Sequence, residues 1–433
     1  MNIVKHLVNS RGIRNTLSRA VVVSKRFGIT SRKIEADLNS YVDIAEKFNC
    51  IPTFAITALT LRRHSELIKK LSDRNVEFAI HGYVHADYTQ LSLEDQIRHF
   101  ERAMNIFRTC QIPFKGFRLP YLRWNENTLQ AVGKLKFLYD SSQTILWDVV
   151  SKDKHREAAW NVYNKVLDLY NPKSAKEYLA LPKIENGLVE IPISIPDDEA
   201  ITDRLCITDK KKITELFEAI FEETYTRGEL FTLQLHHERI PFYRSALETV
   251  LQRARQLNPT VWIATLEEIA KWWKEKDKFT FRVNSQVNGK YTISAECSER
   301  ATVLVRSCKV NKPTSDWAYG YKTIENRNFT IESFIKPFIG VKPDSSTGAI
   351  SFLRSEGFVV EKSEQPDNYR IYFDNLAGFQ EIDEKPTSET IKNSTAPLLR
   401  FWRWPNKAKS ALAITGDIDS ITLIDFIMRL FGR

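Results

Sequence analysis

No run of apolar residues in this 433-residue chain is long enough to span a bilayer as a helix. Cysteine is scarce: Cys50, Cys110, Cys206, Cys297 and Cys308 are odd in number and far apart. That spacing argues against a disulfide framework and against a cysteine-ligated metal, and points to reduced thiols in a cytoplasmic protein. A hydrophobic secretory core is missing near the N-terminus, so export through a cleaved signal peptide is unsupported. Acidic residues are absent from the first 33 positions, where Lys5, Arg11, Arg14, Arg19, Lys25, Arg26, Arg32 and Lys33 lie; without these cations the net charge of +9 would fall to +1. Among them Ile3, Val4, Leu7, Val8, Leu17 and Val21 recur at roughly helical spacing. Such a segment suits peripheral contact with an anionic membrane, a transit peptide, or an amphipathic helix packed on the protein body. Basic and aromatic residues do not interleave there, which argues against nucleic acid as a partner.

What is present is an ordinary globular composition, 42% hydrophobic and 27% charged, enough for a large core. From Ile34 to about Trp273, helical patterns alternate with short apolar runs, the signature of repeated βα units. Helices are predicted at Lys33–Phe48, Ser65–Arg74, Ser92–Arg108, Lys212–Thr226 and Phe242–Gln256, and from Leu266 to a core pair, Trp272 and Trp273. Strands are predicted at Ile51–Ile56, Val76–His81, Phe114–Arg118, Leu188–Ile195, Glu229–Leu235 and Val261–Thr265. Residues 278–385 change texture to β-rich alternation, with turns near Lys342–Gly348 and Gln365–Asn368, and read as a β-sandwich-like domain. Polar residues between Lys385 and Pro397 suit a linker. An apolar strand then returns at Lys409–Gly416, followed by Asp417, Ile418, Asp419 and a helical pattern.

Polar clusters fall where the strands end. His81 and His85 follow one strand four positions apart, a spacing that one helical turn would aim to the same side, and neutral imidazole is a common zinc ligand. Arg118, Pro120 and Tyr121 end the next strand. Asp140 follows a short strand, and His236 follows the strand that begins near Glu229. Each cluster alone is compatible with a structural role, and Asp417 and Asp419 are compatible with a simple helix start.

Taken in order, these clusters resemble the polysaccharide deacetylase, or NodB homology, family over about residues 26–275. His81 and His85 match its paired metal histidines, Arg118, Pro120 and Tyr121 its Arg-x-Pro-Tyr motif, Asp140 its fourth motif, and Leu233 with His236 its Leu-x-x-His motif. The family's opening motif, an apolar strand ending in paired aspartates, is missing from the N-terminal side. Its counterpart is Ala411–Asp419, which implies a circular permutation.

The resemblance implies an α/β fold, a distorted (β/α) barrel with an inserted β-sandwich-like domain. On that basis residues 1–277 hold the main part of the barrel, 278–385 the insert, and 386–433 a linker and the returning strand and helix that complete the barrel. It also implies a divalent metal on Asp419, His81 and His85, zinc first, with cobalt, nickel or iron also suited to such ligands. Asp417 would be the base, oriented by Arg118; Tyr121 would help form the oxyanion site; His236 would be the acid, held by Asp140. The implied activity is removal of N-acetyl groups from a carbohydrate or lipid-linked sugar precursor. Two alternatives stay open: hydrolysis of a non-sugar amide, and a non-catalytic carbohydrate-binding relative. Three positions depart from the family pattern. Gly82 would loosen the metal loop, Gly416 would open the floor of the site, and His237 stands where many relatives have proline.

Overall fold

The structure is a computed structural model that describes residues 27–285 and 289–430. The basic segment as far as residue 26, expected at a membrane surface or in targeting, lies outside the described residues. Among the described residues no helix is long and apolar enough to cross a membrane.

Parallel strands covered on both faces are written as near-continuous apolar runs, and the centre of the fold follows that rule. Thr53–Ile56 and Ser410–Ile418 are buried at every position. The main sheet runs in the order Leu230–Gln234, Ser410–Ile418, Thr53–Ile56, Glu77–Ile80, Gly116–Phe117, Tyr139–Asp140, Leu188–Glu190, Lys183–Glu185. Val261–Ile263 pairs with the lower part of Ser410–Ile418. Neighbours are parallel throughout, apart from the antiparallel pair at Lys183–Glu185. A smaller parallel sheet of Lys173–Ser174, Thr144–Leu146 and Ile193–Ile195 packs against the Leu230–Gln234 edge and completes a distorted α/β barrel. The C-terminal strand therefore sits inside the sheet, with Ala55 beside Asp417 and Gln234 beside Thr415.

Amphipathic helices cover this sheet. Arg32–Lys47 buries Ile34, Leu38, Tyr41, Val42 and Ala45, the face that its spacing predicts. Ser92 caps the Leu93–Thr109 helix by accepting from the Asp95 amide at 3.2 Å. The helix predicted at Ser65–Arg74 is preceded by a separate turn of helix at Ala58–Arg63, and a further helix, Glu157–Tyr170, lies in a stretch where no element was predicted.

The region after Asp277 is more mixed than an all-β reading. It holds two four-stranded antiparallel sheets, joined where Phe281 stacks on Phe401 at 3.9 Å. It also holds a three-stranded parallel sheet, Val360–Lys362, Lys336–Val341 and Tyr369–Phe373, and the turn expected near Lys342–Gly348 leads into a helix at Thr347–Ser355. The expected linker is a helix, Glu384–Asn393, that buries Lys385, Thr387 and Ile391, and the following strand Leu398–Phe401 pairs with Val303–Arg306. Arg306 donates to the carbonyls of Ile391 and Ala396, which ties that helix down. Tyr321 is buried, and Trp317 and Tyr319 pack on Trp402.

Two glycines have roles other than those expected. A side chain at Gly416 would stand 2.3 Å from the Leu235 carbonyl and 3.1 Å from the Phe54 ring, so the position closes the barrel wall and opens no floor. Gly82 has φ +78° and lies against Tyr88, whose hydroxyl accepts from the Tyr83 amide at 3.2 Å; this is a tight turn, and it is not loose. Gly416→Ala should destabilise the protein by about 1–3 kcal/mol through overpacking, measured by thermal unfolding. A melting temperature equal to the parent's would contradict this close packing.

Candidate active site

Because the strands are parallel, the residues that follow them collect at one end of the sheet, where barrel sites are built. His81 and His85 are brought together by a loop turning at Gly82, where a helical turn was expected. His81 Nδ1 lies 2.9 Å from the Arg118 carbonyl oxygen. A carbonyl can only accept, so Nδ1 carries a proton and, in the neutral ring, Nε2 is the nitrogen with the lone pair. That Nε2 faces Asp419 Oδ1 at 3.3 Å, and His85 Nε2 lies 3.4 Å from Asp419 Oδ2. One potential ligand atom from each of His81, His85 and Asp419 falls within 4.8 Å of the others.

Asp417 lies beside this triad, with Oδ2 3.9 Å from His81 Nε2. Arg118 is fully buried and donates from Nη1 to Asp417 Oδ1 at 3.0 Å and to Gln234, and from Nε and Nη2 to the Ser141 carbonyl and hydroxyl. Tyr121 sits in the left-handed region at φ +60°, with its ring edge-on to His85 at 4.4 Å. The predicted residues therefore converge, with one exception. Asp140 does not reach His236: it accepts from Ser142 Oγ at 2.5 Å, and burial, with Glu190 beside it, pushes its carboxyl well above the usual range.

The carboxylate that holds His236 is Asp198. Its Oδ1 is 2.8 Å from His236 Nδ1, its Oδ2 accepts from the His236 amide at 2.9 Å, and Arg239 Nε lies 3.1 Å away on the other side. Asp197 and Asp198 follow the strand Ile193–Ile195 just after Pro196, so the rule that located the other clusters pointed here as well. Burial alone would lower the His236 pKa, but the Asp198 carboxylate raises it well above the usual imidazole value. His237, also buried, has Nδ1 3.3 Å from the Asp417 carbonyl oxygen. Arg429, from the C-terminal helix, is a further contact that sequence reasoning missed, being the one cation in a mostly apolar helical run. It lies 2.5 Å from Asp419 Oδ2 and 3.1 Å from His85 Nε2. Burial would raise the Asp419 pKa, but the Arg429 charge helps to hold it well below the carboxylate range; burial and Arg429 together depress His85.

Residues 35–139 match the sequence model of the family described as polysaccharide deacetylase. Over that stretch the chain is similar to the polysaccharide deacetylase family. A peptidoglycan deacetylase-like protein of Gibberella zeae is 32% identical over 103 residues, which are 23% of this chain and 29% of that protein. The match thus spans less than a third of that relative. Two solved structures described as polysaccharide deacetylases are also similar. One, from Mycobacterium smegmatis, has 21% identity, a TM-score of 0.42, and coverage of 55% of this chain and 76% of that one. The other, from Pseudomonas aeruginosa PAO1, has 19% identity, a TM-score of 0.43, and coverage of 55% and 72%.

The pairing of His236 with Asp198 sets a pH dependence. Its folded pKa is raised above the ordinary value of 6.5, so the stability it contributes is complete below that pH and is lost as pH rises through the folded value. Asp198→Asn should move the His236 titration, followed by NMR, to lower pH, and Asp140→Asn should leave it in place. The reverse pattern would restore Asp140 as the partner.

Proposed function

We propose that this chain is a metal-dependent hydrolase that removes N-acetyl groups from a glycan or glycan precursor. The observation that carries this reading is the convergence of His81, His85 and Asp419 beside an Arg118-held Asp417, with an Asp198-held His236 nearby. The donor set fits a divalent cation. In the neutral ring the lone pair of His81 Nε2 faces Asp419 Oδ1, and that oxygen is buried with no hydrogen-bond partner among the described residues. Two acceptors held this way repel each other unless a cation lies between them.

A metal there, zinc foremost on ligand type with cobalt, nickel or iron as alternatives, would supply Lewis acidity and lower the pKa of a water to about 7. Asp417 takes the proton from the attacking water, its other oxygen being fixed by Arg118. The backbone N–H of Tyr121 stabilises the oxyanion, on the turn that its positive φ creates. His236 donates a proton to the leaving amine, and Asp198 stabilises its imidazolium form. The raised pKa of His236 suits that role, because the acid stays protonated at neutral pH.

The order of elements supports a circular permutation of the barrel. The strand that carries both aspartates comes last in the chain, far outside the family-matched residues 35–139, yet pairs with Thr53–Ile56 and Leu230–Gln234. A soluble or lipid-linked precursor in the cytoplasm, with the basic N-terminal segment against a membrane, is the substrate setting we favour.

Metal content and acetate release test this reading together. Wild-type protein should hold about one metal per chain and release acetate from short N-acetylated sugar oligomers, and Asp419→Ala should lose both. Asp417→Asn should keep the metal and lose about 10²–10⁴-fold in rate. Metal retained in Asp419→Ala, or full activity in Asp417→Asn, would refute the assignment.

A further inference from the structure

Arg429 is held in place from several sides. Its helix, Leu423–Leu430, starts with the Leu423 amide donating to the Gly28 carbonyl at 2.9 Å. Asp425 is buried and pairs with His64 at 2.7 Å and Arg63 at 3.3 Å, while its carboxylate accepts from the Thr422 amide and hydroxyl. Phe426 stacks on Phe27 at 5.4 Å. The anchored helix delivers a guanidinium whose side chain is only 20% exposed.

That guanidinium spans two of the three proposed ligands. Nη1 reaches Asp419 Oδ2 at 2.5 Å and Nη2 reaches His85 Nε2 at 3.1 Å. Arginine only donates, so the bond to His85 uses the Nε2 lone pair, the one a metal would take. A divalent ion on this triad and the guanidinium of Arg429 would thus claim the same imidazole lone pair and the same carboxylate. Two cations a few ångströms apart also repel, most strongly where water is sparse.

Building on the metal-site reading above, we propose that Arg429 and the metal ion compete for His85 and Asp419, so that Arg429 sets the metal affinity of the site. The guanidinium keeps the triad assembled and its charge balanced when no metal is bound, and the metal must displace it. The opposite role is physically distinct: an arginine that merely orients Asp419 for the metal would strengthen binding, and its loss would weaken it.

The test uses full-length protein stripped with a chelator and titrated with Zn²⁺ against a chromophoric competitor. Arg429→Gln should bind zinc roughly tenfold more tightly, within the range of about 5–150-fold usual for coupled sites. Arg429→Lys, which keeps the charge but loses the fork that spans both ligands, should fall between the two. It also tests the idea should the glutamine variant fold poorly. Without metal, Arg429→Gln should melt below the wild type, and saturating zinc should narrow that gap. Equal or weaker zinc binding by Arg429→Gln would overturn the competition while leaving the metal site standing. Zinc binding by none of the three proteins would overturn the metal site itself, and the competition with it.

Discussion

The insertion of Ser410–Ile418 between Thr53–Ile56 and Leu230–Gln234 is the pairing on which the active end of the barrel depends. It fills the centre of the sheet with nine buried residues and ends by setting Asp417 and Asp419 beside the histidines. The preceding segment is steered to that slot by the β-rich region. Leu398–Phe401 is a strand of one of its sheets, and just beyond it Trp404 donates from its indole to the Gly228 carbonyl at 2.9 Å. Arg403 pairs with buried Glu356 and also lies near that carbonyl. The β-rich region is therefore more than an appendage, since it hands the chain back to the barrel in register.

The site then depends on balancing charges away from water, where an unpaired ion costs several kcal/mol. Arg118 meets that demand with a carboxylate, a side-chain amide, a carbonyl and a hydroxyl. Asp198 meets it between His236 and Arg239. The triad has lone pairs facing one another, and its compensating charge among the described residues is Arg429. The first two arrangements hold the proposed base and the proposed acid in fixed orientations, and the third is where the proposed metal and Arg429 would compete.

Much of this was legible in the sequence because the relevant signals are local. His81, Arg118, His236 and Asp417 each follow an apolar strand, and the small residues of Ala411–Ile414 mark a strand buried on both faces. The misassignment of Asp140 has a physical cause: Asp140 and Asp198 both follow strands, and nothing local says which carboxylate curls toward His236. Arg429 was hidden for a similar reason, since a lone cation in a helix is usually solvated, and it is the tertiary docking of the helix, through Asp425 and Phe426, that turns it inward. The helix Glu384–Asn393 was read as linker because its buried side includes Lys385 and Thr387 with a single large apolar residue, Ile391. The Gly416 error came from treating a missing side chain as empty space, when the Leu235 carbonyl and the Phe54 ring fill it.

The central claim is that a strand from the end of the chain completes a metal site begun by two histidines near its start. Anomalous diffraction at the zinc edge, on crystals of the zinc-loaded protein, tests it most directly. The account requires one strong peak at about 2.0–2.2 Å from an imidazole nitrogen of His81, one of His85 and a carboxylate oxygen of Asp419. A peak bound to the histidines without Asp419, or one elsewhere in the protein, would contradict it.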